Sequence, residues 1–249
     1  MSETHRISPE TIEERLEVVT DPELDRSIVE LDYIEDIEID GGSVEVAFTL
    51  PTAWCSPAFA WMMMADARDA MAAHPAVSTA RIRLRDHMHA AEINEGVNGD
   101  LAFGEAFEDA DGEVESVRRE LDGKARVARQ YRATESLLDG GLQPEQIARL
   151  RREDLAIDPE SSRATIRLNH DLSVCVEAES LERYLEKALA TGIADEAEKR
   201  LFVTPEGEAI QPSEFETVHS RGRLAATNMT GQGHVCENLG ASRIGSPSD

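Results

Sequence analysis

The feature that most restricts the fold of this chain is a pair of patterned segments separated by two glycines. Residues Ile34 to Ile39 alternate apolar with acidic side chains, which is typical of a strand with one solvated face. Gly41-Gly42 supplies a tight turn, and Val44 to Leu50 returns as a second strand. These residues predict a β-hairpin in which one face meets solvent.

The segments around this hairpin predict a small α/β arrangement. Ser8-Pro9 marks a helix start, with Ser as the N-cap and Pro at the first helical position. Ser56-Pro57 opens a second helix over Ala58 to Ala73, His74-Pro75 ends it, and Val77 to Leu84 predicts a third strand. The N-terminal domain is therefore expected to be α/β (α+β), in the order α-β-β-α-β.

The rest of the chain is expected to be mostly helical with a small β-hairpin. Val114 to Leu138 predicts a long helix that Gly140-Gly141 closes. Ala164 to Leu168 and Leu172 to Val176 predict the hairpin. The remaining predicted elements are a short helix over Gln143 to Leu150, a helix capped by Ser180, a strand over residues 201–203 and a helix over residues 212–224.

Acidic charge is concentrated in the first part of the chain. Residues 1–110 hold 7 basic and 24 acidic side chains, whereas residues 111–249 hold 18 and 26. This shift, together with the loop-like stretch from Gly104 to Gly112, indicates two parts. The predicted divisions are a domain over residues 1–95, a linker over residues 96–112 and an accessory domain over residues 113–249.

The whole chain carries 25 basic against 50 acidic side chains, a formal net charge of −25. This argues against a main role in binding nucleic acid or an anionic membrane, because phosphate binding needs a basic footprint. Only Lys124, Lys187 and Lys199 are lysines. An acidic, lysine-poor chain indicates adaptation to a salty cytoplasm, where a short Debye length makes self-repulsion tolerable. An ordinary acidic protein is the alternative.

The sequence also bears on the compartment. No apolar run reaches the roughly 20 residues that a membrane span needs. The three cysteines include no CxxC pair and do not form a disulfide framework. A reducing cytoplasm without membrane attachment is therefore expected.

Cys55 is the residue most indicative of chemistry. It follows a predicted strand and lies just before the Ser56-Pro57 helix start. The N–H groups and the positive dipole end of a helix favour a thiolate there. Such a thiolate suits ligation of a soft metal or an iron–sulfur cluster, or attack as a nucleophile. A buried structural cysteine is the alternative.

The region around Cys55 resembles the SufT/PaaD-like metal–sulfur cluster assembly family, over about residues 8–86. The matching features are Asp21-Pro22-Glu23, Ser27-Ile28-Val29 with Leu31, the hairpin, and Thr52 with Cys55. The chain departs from the family by carrying Asp25 and Asp32 where Gly is usual, which predicts altered turns. It also has Ser56 between the cysteine and the proline, which alters the register of the cysteine with the helix.

The resemblance implies a maturation factor, and not an enzyme, that delivers an iron–sulfur cluster or iron to a client metalloenzyme. Cys55 would be a labile ligand for a transiently bound cluster, while Asp21 and Glu23 shape the adjacent turn. A cluster normally takes four ligands. One cysteine per chain therefore favours sharing with a homodimer partner, the client or another assembly protein. The tract from Arg85 to Phe107 resembles longer members associated with di-iron monooxygenases, which implies a client of that class.

Two further sets of side chains are candidate metal ligands. His87 and His89 would face one side of a strand end, with Glu92 folding back, and such ligands suit iron or zinc. A polar junction is the alternative for this set. His234 and Cys236, in a tract made loop-like by glycines, would join Cys55 if the tail folded back. Cys175, between two valines in a strand, is expected to be a small packing residue.

A methionine-rich helix and the second half of the chain each allow two interpretations. The helix is apolar on nearly all sides, which favours a core position over a client-binding surface; its residues are Trp61, Met62, Met63, Met64 and Met71. The second half resembles the catalytic domain of tyrosine recombinases, but Gln143 stands where that family has a catalytic arginine. No tyrosine follows Tyr184, so that chemistry is not intact. A similar order of helices and hairpin without kinship is the other interpretation of this half. The alternative function is a non-catalytic binding adaptor or nucleic-acid-associated protein descended from a recombinase-like fold; a thiol enzyme has little support.

Overall fold

The computed structural model describes residues 7–107 and 114–244, with side chains for residues 7–107 and 114–231. These residues fall into two compact units. The second unit is Arg119–Met229, and the remainder of the described chain forms the first.

The first unit is a mixed α/β structure, as the sequence predicts. The expected order α-β-β-α-β is confirmed, and a short two-stranded ladder and two more helices are added to it. Its elements are α1 (Pro9–Leu16), β1 (Thr20–Asp21), β2 (Arg26–Ser27), β3 (Ile34–Asp40), β4 (Ser43–Thr49), α2 (Pro57–Ala72), β5 (Thr79–Arg85), α3 (Ala90–Asn98) and α4 (Phe103–Ala106). The Ser8 side chain accepts a hydrogen bond from the Thr11 N–H and so caps α1 as expected.

The main sheet of this unit has the strand order β3-β4-β5, with β4 antiparallel to β3 and parallel to β5. Strand β3 is not a simple alternation, because two acidic residues separate Ile34 from Ile37. The register shifts between Ile34 and Asp36, and this bulge absorbs the extra residue. Gly41 turns the hairpin with a φ of 59°, a conformation that glycine adopts without steric cost.

The two faces of the sheet differ as predicted. One face is solvated, and ion pairs cross its strands: Arg83 lies 2.8 Å from Glu38, and Arg85 lies 3.0 Å from Glu35. The other face forms the core with α2. The fully buried side chains include three from β4 and four methionines from α2, namely Val44, Val46, Phe48, Met62, Met63, Met64 and Met71. The core interpretation of the methionine-rich helix is therefore confirmed.

Helix α3, which the sequence analysis did not identify, closes the open edge of this sheet. The side-chain amide of Asn94 accepts from the N–H of Leu84 at 2.7 Å and donates to its carbonyl at 3.0 Å. Asn98, one turn later, makes the same two bonds to Ile82, at 2.9 and 2.8 Å. These amides occupy backbone groups of the edge strand β5 that a neighbouring strand would otherwise pair. Helix α3 ends inside the stretch 96–112 predicted as a linker, and the predicted domain boundaries stay a prediction.

The second unit is mostly helical and contains a small sheet. Its sheet has three strands in the order β6-β7-β8, all antiparallel, so the predicted hairpin gains a third strand. Residues 201–203 form no strand, although Val203 makes an isolated bridge to Ala209. The elements from here to the C-terminus are α5 (Val114–Asp139), α6 (Pro144–Ile147), β6 (Leu155–Asp158), β7 (Arg163–Arg167), β8 (Ser173–Glu177), α7 (Glu179–Ala190) and α8 (Phe215–Ile244).

Two further local predictions in this half are wrong. Helix α7 begins at Glu179 after Ala178, with no side-chain cap, so Ser180 lies inside the first turn. Helix α8 passes through the glycine-containing tract that was expected to be a loop. Glycine costs only about 1 kcal/mol relative to Ala in a helix, which a long helix tolerates. Within the described residues, no helix has the length and apolar character that crossing a membrane requires.

Candidate functional site

Cys55 lies in the loop between β4 and α2, directly before the helix start, as the sequence predicts. Its side chain is half-buried. Ser56 is the N-cap residue of α2, but its side chain makes no capping bond. The Ser56 carbonyl accepts the N–H groups of Phe59 and Ala60, both at 3.0 Å. The inserted Ser56 thus serves as the first helical acceptor, and Cys55 precedes it in the loop.

The turn after β5 holds this loop in place. The Nε2 of His87 lies 3.0 Å from the carbonyl oxygen of Cys55, and the N–H of Met88 donates to the carbonyl of Ala53 at 2.9 Å. The His87 Nδ1 accepts from the N–H of His89 at 3.1 Å. Since a carbonyl oxygen can only accept, Nε2 carries the proton and the ring is the neutral Nε2–H tautomer. His87 therefore fastens the cysteine loop through its backbone.

The second predicted ligand set has a different arrangement from the one expected. His87 and His89 follow the end of β5 in a turn, and their ring centroids are 6.1 Å apart. The Nδ1 of His89 lies 3.6 Å from the Glu92 carboxylate. Hydrogen bonding to its own backbone N–H, and less so His89, lowers the pKa of the Glu92 carboxyl. Both ring nitrogens of His87 already bond to backbone, so ligation by His87 would break one of those bonds.

No group of three or more His, Cys, Asp or Glu side chains in the described part of the chain is arranged to hold a metal ion. The individual ligands predicted from the sequence are not tested by this, and they stay predictions. His234 and Cys236 have side chains outside the described residues. The backbone of α8 does include both positions. At about 100° per residue, positions two apart lie on widely different sides of a helix.

Asp21 shapes the turn that precedes the hairpin. Its Oδ1 accepts the N–H groups of Glu23 and Leu24, at 2.9 and 3.0 Å, and its Oδ2 accepts the hydroxyl of Tyr33 at 3.1 Å. Burial raises the pKa of this carboxyl, although its three hydrogen bonds act in the opposite direction. With its carboxylate oxygens occupied in this way, Asp21 has a positioning role in the Asp21-Pro22-Glu23 motif. Thr52 lies half-buried in the cysteine loop.

The altered turns expected at Asp25 and Asp32 stay a prediction, but the backbone at both positions is defined. These residues have φ values of 53° and 56°, the left-handed conformation that glycine adopts most readily. Aspartate is among the side chains that enter this region with least strain. The chain therefore carries a carboxylate at two positions whose backbone conformation favours glycine.

Two exposed apolar side chains beside Cys55 were not singled out from the sequence. Trp54 is 71% exposed and Met88 is 67% exposed. The bond between Met88 and Ala53 brings the two segments side by side. The sequence offered one signal for Trp54, because it is an aromatic residue directly before a candidate cysteine. Met88 gave none, because its proximity depends on tertiary folding.

The remaining sequence candidates lie in the second unit. Cys175 is exposed on β8, so the prediction of a packing residue is wrong. Tyr184 is fully buried and donates its hydroxyl to the carbonyl of Leu201 at 2.5 Å. Burial raises the pKa of Tyr184, and this tyrosine belongs to the core of the unit. Gln143 is the N-cap of the short helix α6.

Comparison with known proteins identifies one segment of the chain. Residues 9–82 match the family of iron–sulfur cluster assembly proteins. This stretch contains the Asp21 turn, the hairpin, Cys55 and α2, and it confirms the resemblance expected from the sequence for this part of the chain. No match was found among curated proteins or among solved structures.

Proposed function

We propose that this chain is a maturation factor that delivers a cluster, or iron, to a client enzyme, because residues 9–82 match the iron–sulfur cluster assembly family. Cys55 is the ligand that holds the cargo. The chain acts by binding and handing over, without a catalytic cycle of its own. The proposed compartment is a salt-rich cytoplasm, in line with the net charge of −25.

The observation that carries this proposal is the way the Cys55 loop is held. A hydrogen bond from the His87 ring to the Cys55 carbonyl and one from the Met88 N–H to the Ala53 carbonyl fasten this loop at the start of a buried helix. A ligand that is fixed by its backbone and half-exposed at its side chain is presented to an incoming group with little ordering cost. This arrangement supports a binding role for Cys55 more than a packing role.

The incompleteness of the ligand set supports transfer over storage. An iron–sulfur cluster normally takes four ligands, commonly cysteine thiolates. The described residues contain no group that supplies three. Further ligands would therefore come from the client or from another assembly protein, and the cargo would leave when the client offers a fuller set.

Trp54 and Met88 provide the contact surface in this proposal. Both are large, apolar and mostly exposed, and they flank the fastened loop. Trp residues carry a large share of the energy in protein interfaces, and Met adapts to varied surfaces. A client that covers them would exclude water from Cys55 during transfer. A di-iron monooxygenase is the proposed client class, by the resemblance of the tract from Arg85 to Phe107.

The test is anaerobic reconstitution with iron and sulfide, followed by transfer to an apo-ferredoxin acceptor. Wild type is expected to gain visible absorbance and to transfer its cluster. Cys55→Ser should lose both, whereas Cys175→Ser, which changes an exposed thiol in the second unit, should keep both. Trp54→Ala should load normally but transfer more slowly. Equal loading by wild type and Cys55→Ser would overturn the proposal.

His87→Ala tests whether the His87 side chain is needed to hold the Cys55 loop. The variant keeps Cys55 but removes the bond to its carbonyl. We expect it to load iron and sulfide with a faster subsequent loss of the cluster, because the loop is no longer fastened. Loss rates identical to wild type would show that this bond does not position the ligand.

A further inference from the structure

Strand β8 ends the second sheet and leaves one backbone edge open. Among the described residues, the strand order is β6-β7-β8. Two hydrogen bonds show which residues of β8 direct their backbone groups toward β7, which we call the phase of the pairing. The N–H of Ala178 donates to the carbonyl of Ser162 at 3.0 Å, and the N–H of Leu168 donates to the carbonyl of Leu172 at 2.9 Å. In an antiparallel ladder such bonded positions recur at every second residue. The pairing of each intervening residue follows from these two ends.

This phase directs the backbone groups of Val174 and Val176 toward β7. The N–H and C=O groups of the other three residues point away from the sheet; these are Ser173, Cys175 and Glu177. The carbonyl of Cys175 accepts one bond from the Arg163 guanidinium at 3.2 Å, which leaves its second lone pair. The strand therefore presents a row of donors and acceptors suited to another extended strand.

An open groove makes this edge accessible. The groove has a volume of about 630 Å³ and lies between β8 and the C-terminal turns of α5. Its lining includes Tyr131, Arg132, Glu135, Cys175 and Glu177. Proteins commonly protect such edges with Pro, Lys or a bulge. β8 contains no Pro or Lys, Glu177 is its one charged residue, and its register with β7 is regular.

The placement of the outward-facing backbone groups of β8 and the charge of the second unit favour a second copy of β8 as the pairing strand. The outward-facing groups are placed symmetrically about Cys175, so a second copy related by a two-fold axis would match each donor with an acceptor. Glu177 would then lie opposite Ser173 of the second copy, which avoids a like-charge pair. The second unit, Arg119–Met229, holds 16 basic against 21 acidic side chains. Pairing through β8 would therefore bring together the less acidic parts of two chains, each with a net charge of −25.

We propose that two copies of this chain pair through β8, antiparallel and centred on Cys175, to form a continuous six-stranded sheet. The pairing places the two Cys175 residues directly opposite each other across the two-fold axis. The dimer depends on the second unit alone, and its existence does not require the proposed transfer of a cluster.

Disulfide trapping tests the register. In a directly bonded antiparallel pair, opposite Cα atoms are about 5.5 Å apart, within the roughly 4.4–6.8 Å of disulfides. A Cys55→Ser/Cys236→Ser chain, which keeps only Cys175, is treated with diamide. The two thiols lose two protons and two electrons to diamide, which becomes the hydrazine, and one S–S bond forms. We expect a disulfide-linked dimer on a non-reducing gel.

The matched control moves the thiol by two residues. A chain with Ser173→Cys and Cys175→Ser in the same background places its two thiols about 14 Å apart in the proposed register, from about 3.4 Å per residue. It should stay unlinked under the same conditions. Equal linking of both chains would indicate random collision and would overturn the register, as would failure of the Cys175 chain to link.

Sedimentation equilibrium tests the association without oxidant. Wild type should double its mass from 27.4 kDa as concentration rises. Ser173→Pro removes an outward N–H while leaving the ladder to β7, and it should weaken the dimer at least tenfold; Ser173→Ala should not. A wild-type chain that stays monomeric, or a proline variant that dimerises equally well, would overturn the proposal.

Discussion

Removing the amide of Asn94 is the sharpest test of how α3 stabilises the first unit. The amide makes two bonds to Leu84, at 2.7 and 3.0 Å. A hydrogen bond within a folded protein contributes about 1 kcal/mol net, so Asn94→Ala should lower the free energy of unfolding by about 2 kcal/mol. Asn98→Ala removes an equivalent pair on Ile82 and should cost the same. The double variant should lose about 4 kcal/mol, a large share of the 5–15 kcal/mol typical of a protein.

Urea unfolding at constant salt measures these differences through the midpoint and the slope. Glu95→Ala, on the exposed side of the same helix, is the control and should change the free energy of unfolding by less than about 0.5 kcal/mol. Asn94→Asp keeps an acceptor for the Leu84 N–H but places an oxygen against the Leu84 carbonyl, so it should destabilise at least as much as Ala. A loss no larger than that of Glu95→Ala would refute the argument that these amides complete the sheet edge.

Three further predictions follow from the described contacts and the charge. Burial raises the pKa of the Asp21 carboxyl above its ordinary 3.8, so the folded chain keeps this proton after the unfolded chain has released it. Stability from this group is therefore present below pH 3.8 and lost as pH rises through the folded pKa. Asp21→Asn should flatten that decline in urea titrations carried upward from below pH 3.8, and an unchanged decline would contradict this. Asp32→Ala should cost about 1 kcal/mol because of the left-handed backbone, while Asp32→Gly should cost less; equal melting shifts would argue against backbone strain. Lowering salt from 1 M to 0.1 M lengthens the Debye length from about 3 to about 10 Å, so a chain of net charge −25 should melt at lower temperature, and a constant melting temperature would contradict salt adaptation.

The parts of the fold predicted from sequence are those with local causes. Ser8 caps α1 through its own hydroxyl, and Pro57 begins α2 because its fixed φ suits a first turn. The two glycines of the hairpin also act locally, since the turn that contains them spans only four residues, Asp40 to Ser43. The position of Cys55 before a helix was predictable for the same reason.

Other features resisted prediction because their causes lie far apart in sequence. Strands β3 and β4 share one inner face, and the bulge in β3 keeps the apolar residues of β3 on that face. In the sequence, the extra acidic residue at the bulge looks like part of an ordinary alternation of apolar and acidic residues. Helix α3 draws its support from side-chain bonds to β5, and its own composition gives a weak signal. The left-handed backbone at Asp25 and Asp32 was obscured because glycine, the usual marker, is absent.

Sequence patterns alone predict the class of the first unit, its resemblance to a cluster assembly family, and the one cysteine on which the proposed function depends. Those properties are written in residue types and short spacings, where capping, turn formation and alternation act. The way in which that cysteine is held depends on tertiary contacts. The fastening by His87 joins residues 32 positions apart, and the bond from Met88 to Ala53 brings two segments side by side, each of which carries an exposed apolar side chain. Hydrogen bonds between distant segments depend on the path of the chain through the sheet, which no local pattern encodes.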